Sequence, residues 1–154
     1  IQIYLPDFKY ALPELAGKFS AAADYVAVVK DAVDEMFRQV GPYQMGEDGL
    51  LRSGVVLRHL VLPGQIANTK AVIDYVAERF APGEVLFSLM SQYTPQAGAD
   101  GVLARRITGA EYRAAVQYMN DCGLTDGFCQ GRESANASYT PSFDLQGVLD
   151  KGFE

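Results

Sequence analysis

Asp7 and Lys9 stand two residues apart in "YLPDFKY", an acid and a base at the end of an apolar, strand-like run. A spacing of two places both side chains on one side of an extended chain. Three arrangements fit such a pair: a solvated loop pair, two charges neutralising each other, or two arms of a binding site. Arg58 and His59 lie inside "GVVLRHLVLPG". A guanidinium in that setting requires an anionic partner or a polar cavity, because an unpaired buried charge is costly. It serves either to recognise a carboxylate or phosphate, or to form a structural ion pair with an acid such as Asp7. His59 points to the opposite side of the strand and reads as a hydrogen-bonded packing histidine. Gln92 and Tyr93 close a third apolar run, "EVLFSLMSQYTP", as site residues or as plain strand-end residues.

The elements that must position these residues follow from periodicity. "IQIYLPDF" alternates Ile1, Ile3 and Leu5 and predicts a strand. "PELAGKFSAAAD" reads as a loop. Val26, Val29, Val33, Met36, Phe37 and Val40 recur at helical spacing, with Asp24 as N-cap and Gly41 as stop. The run around Arg58 predicts a strand covered on both faces. A helix follows, with Val72, Ile73, Val76 and Phe80 on one side and Asn68 as its cap. After the third strand comes a loop, "QAGADGVLARR". A helix then opens on a capping box of Thr108 and Glu111. Everything after Gly123 reads as an irregular tail. Strand and helix alternate three times, which predicts an α/β fold with a parallel sheet and crossover helices. Chemistry in such sheets collects at the carboxyl ends of strands, and Asp7, Lys9, Arg58, Gln92 and Tyr93 all fall there.

Composition bounds the function. The 154 residues suffice for one domain. A net charge of -6 speaks against a nucleic-acid surface. No apolar run is long enough to span a bilayer, and "IQIYLPDFKY" is not a signal peptide, so a cytoplasmic protein is expected. Cys122 and Cys129 read as reduced thiols. With one histidine in the chain, no zinc site and no metal ligand is expected. The sequon at Asn136 carries no weight without a secretory signal. Gly64 in "LPGQ" is only a weak phosphate-loop signal.

"YLPDFKY", "EMFRQVG", "LLRSGVVLRHLVLPG", "SLMSQYTP" and "RRITGAEYRAAVQYMNDCGLTDGF" together resemble, in order and across nearly the whole chain, the later half of radical S-adenosylmethionine proteins. The subgroup is the one similar to pyruvate formate-lyase-activating enzymes. The resemblance implies a partial (β/α) barrel, of which residues 1–154 supply about three parallel β/α units as a single domain. It implies S-adenosylmethionine and a [4Fe-4S] cluster in the intact protein, with neither bound by this portion alone. The chemistry implied is a 5′-deoxyadenosyl radical that abstracts hydrogen from a substrate. In activating enzymes that substrate is a glycyl residue of a partner enzyme. By the same resemblance, Lys9 matches a lysine at the cofactor ribose and Asp7 an aspartate facing the substrate. Arg58 matches an arginine at S-adenosylmethionine. Gln92 and Tyr93 fall where the activating enzyme has a cofactor-contacting histidine.

The chain departs from that family in lacking CxxxCxxC and the glycine-rich stretch after it, and a cluster needs thiolate ligands. With no initiator Met, the expectation is a carboxyl-terminal portion whose cluster-binding half lies elsewhere. The alternative is a non-catalytic α/β module that binds an anionic metabolite or a partner protein. A barrel cut in this way bares the edge of its first strand, and bare edges pair with other chains. Light scattering at rising concentration should show self-association through Ile1–Phe8. A monomer throughout would contradict it.

Overall fold

The run around Arg58 forms β3 (Leu51–Leu60), the ten-residue strand on which the sheet is built. The computed structural model describes residues 1–130. Before β3 come β1 (Ile3–Tyr4), α1 (Pro13–Ser20), α2 (Tyr25–Val40) and β2 (Gln44–Met45). After it come α3 (Ile66–Arg79), β4 (Leu86–Met90), a 3-10 turn at Gly101–Ala104, α4 (Gly109–Asp121) and β5 (Gly127–Gln130). The parallel strands lie in the order β1-β3-β4-β5, with β2 antiparallel to β3.

Alternation along the strands separates two faces. Val55, Leu57 and Val61 of the β3 segment, with Val85, Phe87 and Leu89 of the β4 segment, share one core with Val29 and Val33 of α2. Val72, Ile73 and Val76 of α3, and Ala115, Val116 and Met119 of α4, join the same core. Val56 and Leu86 point to the opposite face and are buried outside that cluster. Strand β3 is therefore apolar on both sides, as its unbroken hydrophobic run predicts.

Four expectations change. The first strand shrinks to Ile3–Tyr4, because Pro6 has no N–H to continue the ladder. Pairing resumes only as an isolated bridge between Asp7 and Arg58. The supposed loop after it contains α1, which starts with Pro13 at its first turn and Glu14 beside it, both standard start signals. Asn68 is not a cap. Helix α3 begins at Ile66, and Asn68 lies buried within its first turn. The tail after Gly123 is not wholly irregular, since Gly127–Gln130 forms a fourth parallel strand on β4. Gly127 permits this approach, because a side chain there would collide with the Phe87 carbonyl oxygen. The remainder of that tail, residues 131–154, and Asn136 with it, lie outside the described residues. The capping box of Thr108 and Glu111 is present as expected. No helix among the described residues is long and apolar enough to cross a membrane.

His59 is fully buried on the helix side of β3. Its Nδ1 lies 2.8 Å from the Phe8 carbonyl oxygen and its Nε2 3.0 Å from the Thr69 hydroxyl. A carbonyl only accepts, so Nδ1 carries the proton and Nε2 accepts from Thr69. Desolvation holds the imidazole neutral and lowers its pKa to about 4. The unfolded chain binds this proton near pH 6.5 and the folded chain near 4, so stability is complete above 6.5 and declines as pH falls toward 4. The loss should reach about 3 kcal/mol at most. Urea midpoints between pH 6.5 and 5 should show the decline, and His59→Gln, in the chain's one histidine, should flatten it.

Candidate functional site

The residues between Asp7 and Leu12 form no regular element, yet most of their backbone polar atoms are held. The Phe8 amide donates to the Arg58 carbonyl at 2.8 Å, and the Arg58 amide to the Pro6 carbonyl at 2.9 Å. The Tyr25 hydroxyl accepts from the Lys9 amide at 2.9 Å and donates to the Asp7 carbonyl at 3.0 Å. Asn68 donates through Nδ2 to the Lys9 carbonyl at 2.9 Å. Its Oδ1 accepts from the amides of Ala11 at 2.9 Å and Leu12 at 3.4 Å. His59 takes the Phe8 carbonyl. Three side chains from α2, β3 and α3 thus replace the ladder that Pro6 interrupts.

Alternation persists through this segment. Phe8 and Tyr10 are buried, while Asp7 and Lys9 are exposed. Phe8 stacks near Tyr75 with ring centroids 5.1 Å apart, and the Tyr10 hydroxyl bonds Ser20 at 2.9 Å. The two charges therefore project away from the core shared by α2, α3 and α4, into a cleft of about 500 Å³ that Phe19 and Ser20 of α1 also line.

The cleft lies at the carboxyl ends of β3 and β4. Asp7, Lys9, Arg58, Leu60 and Met90 line it, and the loop residues Gln96–Ala99 and Leu103 form a further wall. Arg58 Nη2 meets Asp7 Oδ1 at 2.8 Å, with both side chains about two-fifths exposed, 41% and 43%. So the ion pair weighed for Arg58 exists, and it is Asp7 rather than Lys9 that Arg58 engages. A pair this exposed contributes roughly 1 kcal/mol or less, too little to account for an arginine in an apolar strand. Lys9 makes no ion pair among the described residues. The charged lining is thus two cations against one anion, on a chain whose net charge is -6. The local excess is positive, which favours an anionic ligand.

Tyr93 also lines the cleft, with its hydroxyl donating to the Leu103 carbonyl at 2.9 Å, so it shapes the wall. Gln92 is exposed and does not line the cleft. Strand β4 ends at Met90, so the two-residue alternation that would aim Gln92 inward no longer operates. The structure thus brings together Asp7, Lys9, Arg58 and Tyr93 from three segments and leaves Gln92 apart.

Glu111 is a connection that its capping-box role did not disclose. Its carboxylate accepts from the Thr108 amide at 2.8 Å and, across the fold, from the Gly64 amide at 2.7 Å. Arg105 grips it with two bonds at 2.8 and 2.9 Å. Arg105 first, then the Thr108 and Gly64 amides, hold its carboxyl well below the usual carboxylate range. The Gly64 amide is therefore occupied by a carboxylate and is not free for a phosphate. Gly64 has φ +70, and Val102 packs where a side chain would stand. The turn after β3 and the loop after β4 are thereby clamped to each other beside the cleft.

Neither cysteine lines the cleft. Both are free thiols; Cys122 contacts Asp74 at 3.8 Å, and burial pushes the pKa of each upward. No cluster of three His, Cys, Asp or Glu residues suited to a metal ion occurs among the described residues. No family model, curated protein or solved structure matches the chain.

Removing Asn68 tests the scaffold of the site. Asn68→Ala leaves the Lys9 carbonyl and the Ala11 amide without their partner and should destabilise the fold by about 2–4 kcal/mol. Amide hydrogen exchange should accelerate at Ala11 and Leu12 more than in β4. Uniform acceleration would show that Asn68 does not specifically hold this segment.

Proposed function

We propose that the chain is the carboxyl-terminal part of a radical S-adenosylmethionine enzyme similar to the activators of pyruvate formate-lyase. The observation that carries this is the convergence of Asp7, Lys9 and Arg58 on one cleft at the strand ends. The strand order supports a partial barrel: β1-β3-β4-β5 runs without the reversal that defines a doubly wound sheet. Helices α2, α3 and α4 draw their core contacts from one face of that sheet.

In this reading S-adenosylmethionine occupies the cleft. Arg58 and Lys9 supply charge to its carboxylate and donors to its ribose. Asp7 orients the guanidinium and neutralises part of its charge. Leu60, Leu62 and Met90 give apolar contact and exclude water. The [4Fe-4S] cluster does not fit the described residues, since Cys122 and Cys129 stand away from the cleft. Its ligands belong, in this reading, to residues of the intact protein outside these 154. When bound in the intact protein, the two cofactors would supply reductive hydrogen-abstraction chemistry toward a substrate, a glycyl-radical enzyme being one candidate.

The test uses the intact gene product prepared without oxygen. It should contain iron and acid-labile sulfide, and Arg58→Ala should weaken S-adenosylmethionine binding by about 1.5–3 kcal/mol in calorimetry. An intact protein free of iron would overturn the radical assignment. Arg58-dependent binding of anionic metabolites in such a protein would establish a non-catalytic module instead.

A further inference from the structure

Strand register places Asp7, Arg58, Ser88 and Phe128 in one row across the sheet. The row lies on the face opposite α2, α3 and α4, one step beneath the cleft-lining pair Leu60 and Met90. Ser88 is 1% exposed. It is a lone hydroxyl within "LFSLM", an otherwise apolar strand. Its Oγ is buried and has no hydrogen-bond partner, and neither does the buried Nε of Arg58. Adjacent parallel strands lie about 4.8 Å apart, so the two residues that carry unsatisfied polar groups are register neighbours on one face.

Each such group costs about 1–3 kcal/mol when left unpaired. Alanine at 88 would remove one cost without disturbing an apolar strand. The two groups share a chemical demand. An arginine Nε only donates, and the serine hydroxyl can donate beside it. One acceptor oxygen satisfies both. Asp7 takes Nη2, which shares an edge of the guanidinium with Nε, and the Nε hydrogen itself stays unbonded. Val56 and Leu86, both at most 5% exposed, lie on the same face and keep the spot dry, which strengthens a charge-assisted bond.

We propose that Ser88 and the Nε donor of Arg58 form an oxyanion subsite that receives one oxygen of a ligand carboxylate or phosphate. Asp7 sets the angle of the guanidinium, and Lys9 adds positive charge at the rim. The ligand enters by the cleft assigned above, so the inference rests on that cleft. It does not depend on the ligand being S-adenosylmethionine.

The intact gene product and its Ser88→Ala variant are titrated with S-adenosylmethionine and, separately, with inorganic phosphate, and both are unfolded in urea. The expected result is binding of at least one probe by the intact protein, weakened about tenfold or more by Ser88→Ala. The variant's urea midpoint should be equal or higher, because an unpaired hydroxyl has gone. Unchanged binding with a raised midpoint overturns the subsite and leaves a hydroxyl that at most holds a water. Binding of neither probe by the intact protein also overturns it. Phosphate binding that depends on Ser88, without S-adenosylmethionine binding, keeps the subsite and removes the cofactor assignment. Binding of S-adenosylmethionine indifferent to Ser88 does the reverse. Arg58→Lys, which keeps the charge but deletes the Nε donor, should show the same loss and serves if Ser88→Ala does not fold.

Discussion

The whole rim of this protein depends on how the backbone from Asp7 to Leu12 is fastened. Pro6 ends regular pairing, so this stretch cannot draw on a strand ladder. Tyr25, His59 and Asn68 take over, each from a different element, and each bonds main-chain atoms. The arrangement is cooperative in a simple sense. Phe8 must be buried for His59 to reach its carbonyl, and α3 must be docked for Asn68 to reach Lys9 and Ala11. A neutral His59 serves this role well, because a fixed donor at Nδ1 and an acceptor at Nε2 match a carbonyl and a hydroxyl without a buried charge.

Charge placement follows from that fastening. With Phe8 and Tyr10 turned into the core, Asp7 and Lys9 have one direction left, and it is toward Arg58. The acid engages the guanidinium at 2.8 Å, while the ammonium remains uncommitted within the described residues. An acidic chain thereby carries a cleft with a positive excess. The loops around the cleft are stiffened from another quarter, by Glu111 joining Arg105, Thr108 and Gly64. An oriented set of charges on a tied framework needs little reorganisation to receive an anion.

Much of this was legible in the order of residues. The strands around Arg58 and Leu89, three helices, the capping box and the group Asp7, Lys9, Arg58 and Tyr93 follow from periodicity and from polar residues at strand ends. What escaped depends on partners far along the chain. Asn68 looks like a helix cap, because no local pattern says that its amide will meet residues 9–12 from inside a first turn. Helix α1 is short and contains Gly17, which weakened its signal although Pro13 and Glu14 announced it. Strand β5 is four residues long and opens on Gly127, a poor strand former whose value is its missing side chain. Gln92 closes the apolar run in sequence, but β4 stops at Met90, two residues before it. Ser88 did leave a trace, as the one hydroxyl in a buried apolar strand.

The fastening of residues 7–12 acts on main-chain atoms, and this separates the shape of the rim from its chemistry. Tyr25 and Asn68 would hold the same backbone whichever side chains stood at positions 7 and 9, since neither touches the carboxylate or the ammonium. Descendants of this fold can therefore exchange acids, bases or neutral groups at those two positions while the core keeps its form. Diversification of ligand preference here requires only outward-facing substitutions, which are the changes a folded protein tolerates most readily.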